Sequence, residues 1–155
     1  MAKSPILTIS NSGPGISLPQ IEAECGPLIF PGADQFIKFY QKHNGGRPNK
    51  TTTAEPIYST IDIFYPIASS GRPGVATIAE VTAGMEKRDR SYFGKMLIFG
   101  QDAGANLFCV ERATGVIYFV PLDYGDLFAE NAARLAGSFQ TYLDKLQLFD
   151  TVYGD

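Results

Sequence analysis

Lys95-Met96-Leu97-Ile98-Phe99-Gly100-Gln101-Asp102-Ala103-Gly104-Ala105-Asn106-Leu107-Phe108-Cys109-Val110-Glu111-Arg112-Ala113-Thr114-Gly115-Val116-Ile117-Tyr118-Phe119-Val120-Pro121-Leu122 decides the fold. Three apolar runs, 96–99, 107–110 and 116–120, are separated by turn-rich sequence at 100–106 and 113–115. Short apolar runs bounded by Gly, Asp and Asn mark well-buried antiparallel strands. Ala113-Thr114-Gly115 suits a short hairpin loop.

The second decisive stretch lies upstream, at Phe30-Pro31-Gly32-Ala33-Asp34-Gln35-Phe36-Ile37-Lys38-Phe39-Tyr40-Gln41-Lys42-His43-Asn44-Gly45-Gly46. Phe36, Phe39 and Tyr40 share one helical face, because positions three and four apart are neighbours. The pattern predicts a helix over 33–44, with Gly45 as its left-handed C-cap.

Outward from these anchors, residues 10–17 read as a loop. Ser17 is placed to cap a short helix over 18–25, with Pro19 in its first turn and Gly26 ending it. Residues 45–55 read as a polar loop and 57–65 as a strand, with Ile61, Ile63 and Tyr65 alternating against Thr60, Asp62 and Phe64. Residues 69–74 read as a turn, and 75–85 show helical spacing. The mixed-sign run Glu86-Lys87-Arg88-Asp89-Arg90 reads as a solvated surface segment. A last helix spans 138–148, with Ser138 as N-cap and Phe139, Tyr142, Leu143 and Leu146 as its inner stripe. The expected class is α+β: one domain, a twisted antiparallel sheet with helices packed on it. Its expected core is Phe36, Phe39, Tyr40, Ile61, Ile63, Leu97, Phe99, Phe108, Val110, Ile117, Phe119, Phe139 and Leu143.

Size and composition agree with this. A chain of 155 residues, 45% hydrophobic and 19% charged, is long enough to bury about 70% of its unfolded surface. The net charge of −3 is uneven: residues 1–99 sum to +2 and residues 100–155 to −5. An acidic balance argues against nucleic-acid binding, which needs a clustered basic footprint, and suits a basic partner. The N-terminal stretch has no long apolar core region, and no run reaches the ~20 residues that span a bilayer. The expectation is a cytoplasmic protein that contacts neither membrane nor nucleic acid. Cys25 and Cys109 lie too far apart in sequence for a metal-type spacing.

These residues resemble the SUKH superfamily, the fold shared by a yeast regulator of cell-wall glucan synthesis and many bacterial immunity proteins. Phe30-Pro31, Asp34-Gln35-Phe36 and Asn44-Gly45-Gly46 fill the family's helix start and stop. The hairpin 96–110, the strand opening Gly115-Val116-Ile117-Tyr118-Phe119 and the helix start Ala136-Gly137-Ser138-Phe139-Gln140-Thr141-Tyr142-Leu143 follow in family order over about 18–148. The run 130–135 is less apolar than a family strand. The resemblance implies a protein that binds another protein, most often an immunity protein that neutralises a polymorphic toxin, in some cases a nuclease.

Catalytic readings are weaker. His43, the sole histidine, stands at a helix end where a cation is favoured. Cys109 lies inside an apolar strand, as an inert thiol does, and Cys25 precedes Gly26-Pro27 at a helix end. Asp62, Asp102, Glu111, Asp123 and Asp126 would have to converge to form a carboxylate hydrolase, yet none stands in a metal-ligand spacing. Residues 100–104 lack the Gly-Lys-Ser/Thr of a phosphate loop. No cofactor, metal or catalytic residue is expected. A scaffold or regulator of cell-wall synthesis or signalling is the second reading, and a small hydrolase the third.

For the partner, the sequence points to a basic protein surface, with self-association left open. Consecutive antiparallel strands alternate the ends at which their turns lie. Asp102 and the loop Asp123-Tyr124-Gly125-Asp126 are therefore expected at one end of the sheet and Glu111 at the other. Tyr58 and Tyr65 are expected to extend the acidic patch, one of them with a competing claim as a core residue.

Overall fold

The computed structural model describes residues 6–68 and 75–154, so the expected turn at 69–74 lies outside the described residues. The elements in chain order are β1 (Ile9–Ser10), α1 (Leu18–Cys25), α2 (Ala33–Lys42), β2 (Arg47–Pro48), β3 (Thr52–Thr53), β4 (Ser59–Thr60), β5 (Ile63–Phe64), α3 (Ile78–Arg88) and α4 (Arg90–Phe93). They continue with β6 (Met96–Gln101), β7 (Leu107–Glu111), β8 (Ile117–Val120), α5 (Phe128–Asn131), β9 (Ala133–Ala136), α6 (Phe139–Lys145) and α7 (Phe149–Tyr153). The class is α+β, as expected. Its centre is an antiparallel sheet in the order β5-β6-β7-β8-β9. Among the described residues, no helix is long and apolar enough to cross a membrane.

The three apolar runs form the middle of this sheet. Leu97 pairs with Val110 and Val110 with Ile117, while Gln101, Leu107 and Val120 align at the opposite end. The ladder shifts register between Ile98 and Gly100. There the Ile98 N–H turns to the Thr82 hydroxyl of α3 at 3.1 Å, which fixes α3 against β6. Gly100 is needed for a close approach: a Cβ there would meet the Ile63 carbonyl oxygen at 2.8 Å.

Aromatic rings join the other face to its helices. Phe139 of α6 lies 5.0 Å from Phe36 and 5.4 Å from Phe39 of α2, and 5.3 Å from Phe99. Phe39 reaches Phe64 at 4.9 Å, and Tyr142 packs on Phe99 and Phe108. Ser138 caps α6 through the Thr141 N–H, and Ser17 closes a capping box with Gln20 on α1. Both caps stand where the sequence places them.

Several expectations need correction. The strand at 57–65 is split between two sheets. The Ile61 N–H donates to the Thr51 carbonyl at 2.8 Å, and the next N–H, that of Asp62, donates to the Gln101 carbonyl at 2.9 Å. The chain thus changes partner within one residue, so β4 pairs with β3 and β5 with β6. The corner destroys the two-residue alternation: Phe64 is fully buried while Ile63 is only half-buried. Phe119 is likewise half-buried. The polar loop at 45–55 contains β2, paired with β1, and β3. The 75–85 helix is shifted to 78–88, because Thr77 and Glu80 form its capping box.

The α2 stop works differently from the expected cap. The helix ends at Lys42, and His43 is extended with φ −135°. Asn44 is buried: its Oδ1 accepts from the Ile67 N–H at 2.8 Å and its Nδ2 donates to the Ala68 carbonyl at 2.8 Å. Gly45 has φ +77°, and a Cβ there would meet the Phe64 carbonyl oxygen at 2.7 Å. Its conformational freedom therefore serves docking of 64–68 onto the helix end rather than helix termination.

Candidate protein-binding surface

The β6–β7 turn is built by Asp102. Its Oδ1 accepts from the N–H groups of Gly104 at 2.9 Å and Asn106 at 2.8 Å, and its Oδ2 from Asn106 Nδ2 at 3.0 Å. Asn106 Oδ1 in turn accepts from the Leu122 N–H at 2.9 Å. The turn and the chain leaving β8 thus share one end of the sheet. Glu111, opposite Met96 in the ladder, is at the other end and accepts from the Thr114 hydroxyl at 2.6 Å.

The loop at 123–126 leaves that end for α3. Asp126 Oδ1 accepts from Arg88 Nε at 2.9 Å, and the Arg88 guanidinium lies 4.9 Å from the centre of the Phe128 ring. Arg88, read as part of a merely solvated charged run, is therefore the clamp of this loop. Asp123 and Tyr124 remain exposed.

The two candidate tyrosines separate. Tyr58 is 64% exposed, whereas Tyr65 is 6% exposed, its hydroxyl donating to Gln101 Oε1 and its carbonyl accepting from the Tyr40 hydroxyl at 2.8 Å. Tyr65 belongs to the core. It lies just beyond the sheet corner, where the chain runs between β6 and the end of α2.

Tyr58 finds its neighbours past the expected 138–148 helix, which in the structure stops at Lys145 with Leu146 already extended. Gln147 bonds to β3 in both directions: its N–H donates to the Thr52 carbonyl at 2.8 Å, and its carbonyl accepts from the Thr51 and Thr52 N–H groups at 3.0 Å. This zip fixes α7 beside β3. Tyr153 then lies 5.6 Å from Tyr58 and 4.8 Å from Phe149, ring centre to ring centre. Phe149 and Tyr153 are 51% and 49% exposed. The one sequence signal for this cluster is the i, i+4 spacing of Phe149 and Tyr153, which puts them on one face of even a single helical turn.

Between Tyr58, Tyr153 and the Asp102 turn lies a cleft of about 360 Å³, with Asp62, Thr60 and Phe119 also in its walls. Asp62 is paired with Arg47 at 2.7 Å. No residue of 123–126, nor Glu111 or Tyr65, lines it. The cleft therefore combines part of the expected patch, Asp102 and Tyr58, with rings supplied by the chain's last helix.

Elsewhere the chemistry is plain. Burial pushes the Cys25 thiol up to about 11 and the Cys109 thiol higher still, so both are protonated at neutral pH. His43 has its pKa lowered by burial and by Lys42, and it borders a cleft of about 350 Å³ with Lys38, Lys42 and Phe39. Among the described residues, no carboxylate lines that cleft. Among the described residues, no group of three or more His, Cys, Asp or Glu side chains is placed to hold a metal ion. Asp62 and Asp126 sit in separate ion pairs, and Asp102 and Glu111 hold turns.

The SMI1 / KNR4 family (SUKH-1) model matches residues 33–145, from the first residue of α2 to the last of α6. Comparison with curated proteins gives no match. The matched region contains the whole five-stranded sheet, with Tyr58 and Asp102, but not Phe149 or Tyr153.

Proposed function

The chain belongs to the SMI1 / KNR4 family (SUKH-1), and from that premise we propose that it is a non-enzymatic protein-binding module, an immunity protein that neutralises a toxin made by the same cell. The observation that carries the binding reading is the exposed cluster of Tyr58, Phe149 and Tyr153 beside Asp102. Rigid aromatic rings with polar tips are common interface anchors, because they bury much area at little conformational cost. A neighbouring acidic turn steers a basic partner into place. Toxins that act on nucleic acid carry basic active sites, which such a face can occlude.

Two further observations support a binder over a hydrolase. Four of the five carboxylates that a hydrolase would pair, Asp62, Asp102, Glu111 and Asp126, are committed to an ion pair or a turn, and Asp123 stands exposed away from the cleft. Both thiols are buried with raised pKa values. The site includes Tyr58 and Asp102 with Phe149 and Tyr153; Asp123, Tyr124 and Asp126 form a separate acidic loop.

The test is co-expression with the product of the neighbouring gene, which the immunity reading expects to be a toxin. Immunity predicts that cells producing the toxin survive only with this chain, and that the two proteins purify as a complex. Survival unchanged by the chain, with no complex, overturns the immunity role. A stable complex with a cell-wall synthesis or signalling protein instead assigns the regulatory role.

A further inference from the structure

We propose that the cleft between Tyr58 and Tyr153 is the seat of one arginine side chain presented by the partner protein; this rests on the protein-binding reading above. Charge complementarity comes first. Of the two carboxylates in the cleft wall, Asp62 already has a cation in Arg47, while Asp102 forms no ion pair with any described residue. Among the described residues, no lysine or arginine lines the cleft. Asp102 is also rigid, since three hydrogen bonds from Gly104 and Asn106 hold its oxygens. Those bonds leave accepting capacity on Oδ2, so the carboxylate is oriented before a donor arrives.

The rings define which cation fits. Tyr58 and Tyr153 lie 5.6 Å apart with their planes tilted by 39°, so together they offer a wall of aromatic face rather than a closed stack. A guanidinium is planar, stacks on such faces and presents a fork of donors to a carboxylate. An ammonium is a compact, strongly hydrated charge and gains less from the same wall. The floor is already satisfied: the Thr60 hydroxyl bonds with Thr52 at 3.2 Å and the Ser59 hydroxyl with Thr53 at 2.6 Å. Donors entering the cleft therefore meet Asp102 as the acceptor in need of a partner.

Other occupants fit less well. An apolar segment would strip water from the Asp102 carboxylate without replacing its hydrogen bonds. An acidic peptide or a nucleic-acid backbone would be repelled. One wall of the cleft, Tyr153, comes from outside the family-matched region.

The experiment is an NMR titration of the full chain with acetyl-Gly-Arg-Gly-amide, and with the counterparts carrying lysine or the neutral isostere citrulline. Saturable shifts are expected at the amides of 103–106 and on the rings of Tyr58 and Tyr153. The lysine peptide should bind about threefold more weakly or worse, and the citrulline peptide should not saturate. Asp102→Asn keeps an oxygen to accept from the Gly104 and Asn106 N–H groups, gives up the bond from Asn106 Nδ2 and removes the charge, and should weaken the arginine peptide by about threefold or more. Tyr153→Ala should do the same, and serves alone if Asp102→Asn disturbs the turn. Equal binding of citrulline, shifts confined to other surfaces, no saturation, or an unaffected Tyr153→Ala variant each overturns the seat. Sedimentation of the free chain is the remaining arm: a dimer dissolved by Tyr153→Ala would show the occupant to be a second copy, overturning the partner assignment. A toxin complex with no peptide response removes only the arginine seat, whereas failure of the toxin complex is read in a separate experiment.

Discussion

Two aromatic clusters in this molecule have nearly the same ring spacing and opposite surroundings. In the sheet-and-helix core, Phe36 and Phe139 lie 5.0 Å apart; at the surface, Phe149 and Tyr153 lie 4.8 Å apart. The first pair is at most 1% exposed and the second about half exposed. Ring pairing therefore does not define a core. What differs is how much apolar area leaves water on folding, at about 25 cal/mol for each Å². The inner cluster contributes its full area to the native state. The outer one leaves about half of its area in water.

The strongest way to break this contrast is to truncate one member of each cluster. Phe139→Ala removes a ring packed against Phe36, Phe39, Phe64 and Phe99, and should lower stability by about 3–5 kcal/mol in urea unfolding. An unchanged midpoint would show that the inner cluster is not the core. Tyr58→Ala with Tyr153→Ala should change stability by no more than about 1 kcal/mol. The same double variant should weaken the toxin complex by about tenfold or more in calorimetry. Wild-type affinity with this variant would remove the surface cluster from the interface.

A subtler test lies inside the core. The Tyr142 hydroxyl is buried and meets no partner among the described residues. Tyr142→Phe should leave stability unchanged or raise it by about 1 kcal/mol, whereas a loss of that size would reveal a bonded hydroxyl.

The acidic turns offer a parallel contrast. Among the described residues Asp102 has no paired cation, whereas Asp126 has Arg88. Asp102→Asn should slow toxin association and flatten its salt dependence. Asp126→Asn should cost about 0.5 kcal/mol of stability and leave the on-rate alone. Equal effects on the rate would place both turns in one interface. The smallest effect concerns His43. Its folded pKa is lowered below 6.5, so the unfolded chain binds the proton more readily. Its contribution is present above 6.5 and is lost as pH falls through the lowered value. His43→Gln should therefore flatten the acid side of the stability profile slightly.

Legibility followed the range of the interactions. Three central strands, the capped α1 and the Phe139 stripe were readable because each rests on contacts within a few residues or on a repeated pattern. The strand at 57–65 was not, because its break at Ile61 and Asp62 comes from two carbonyls, of Thr51 and Gln101, that compete for successive N–H groups. β9 is obscured in the sequence by Arg134 and two alanines: only Leu135 and Ala136 are buried, too short an apolar run to mark a strand, and the edge ladder with β8 defines it. Of the expected patch, Tyr58 and Asp102 are brought to one cleft. Asp126 is drawn off by Arg88, which lies 38 residues earlier in the chain.

The sequence by itself determined the α+β class, the family, the inner stripes of α2 and α6 and the shared sheet end of Asp102 and the chain after β8. Periodicity and turn chemistry are local, and strand alternation assigns turns to ends without knowledge of packing. Only the tertiary structure decided that Tyr65 is core and Tyr58 surface, that Asn44-Gly45 docks 64–68, and that Phe149 and Tyr153 complete the exposed cluster. Each of those outcomes is a contact between segments that carry no periodic relation to one another. Their pairing depends on where the folded chain brings them together.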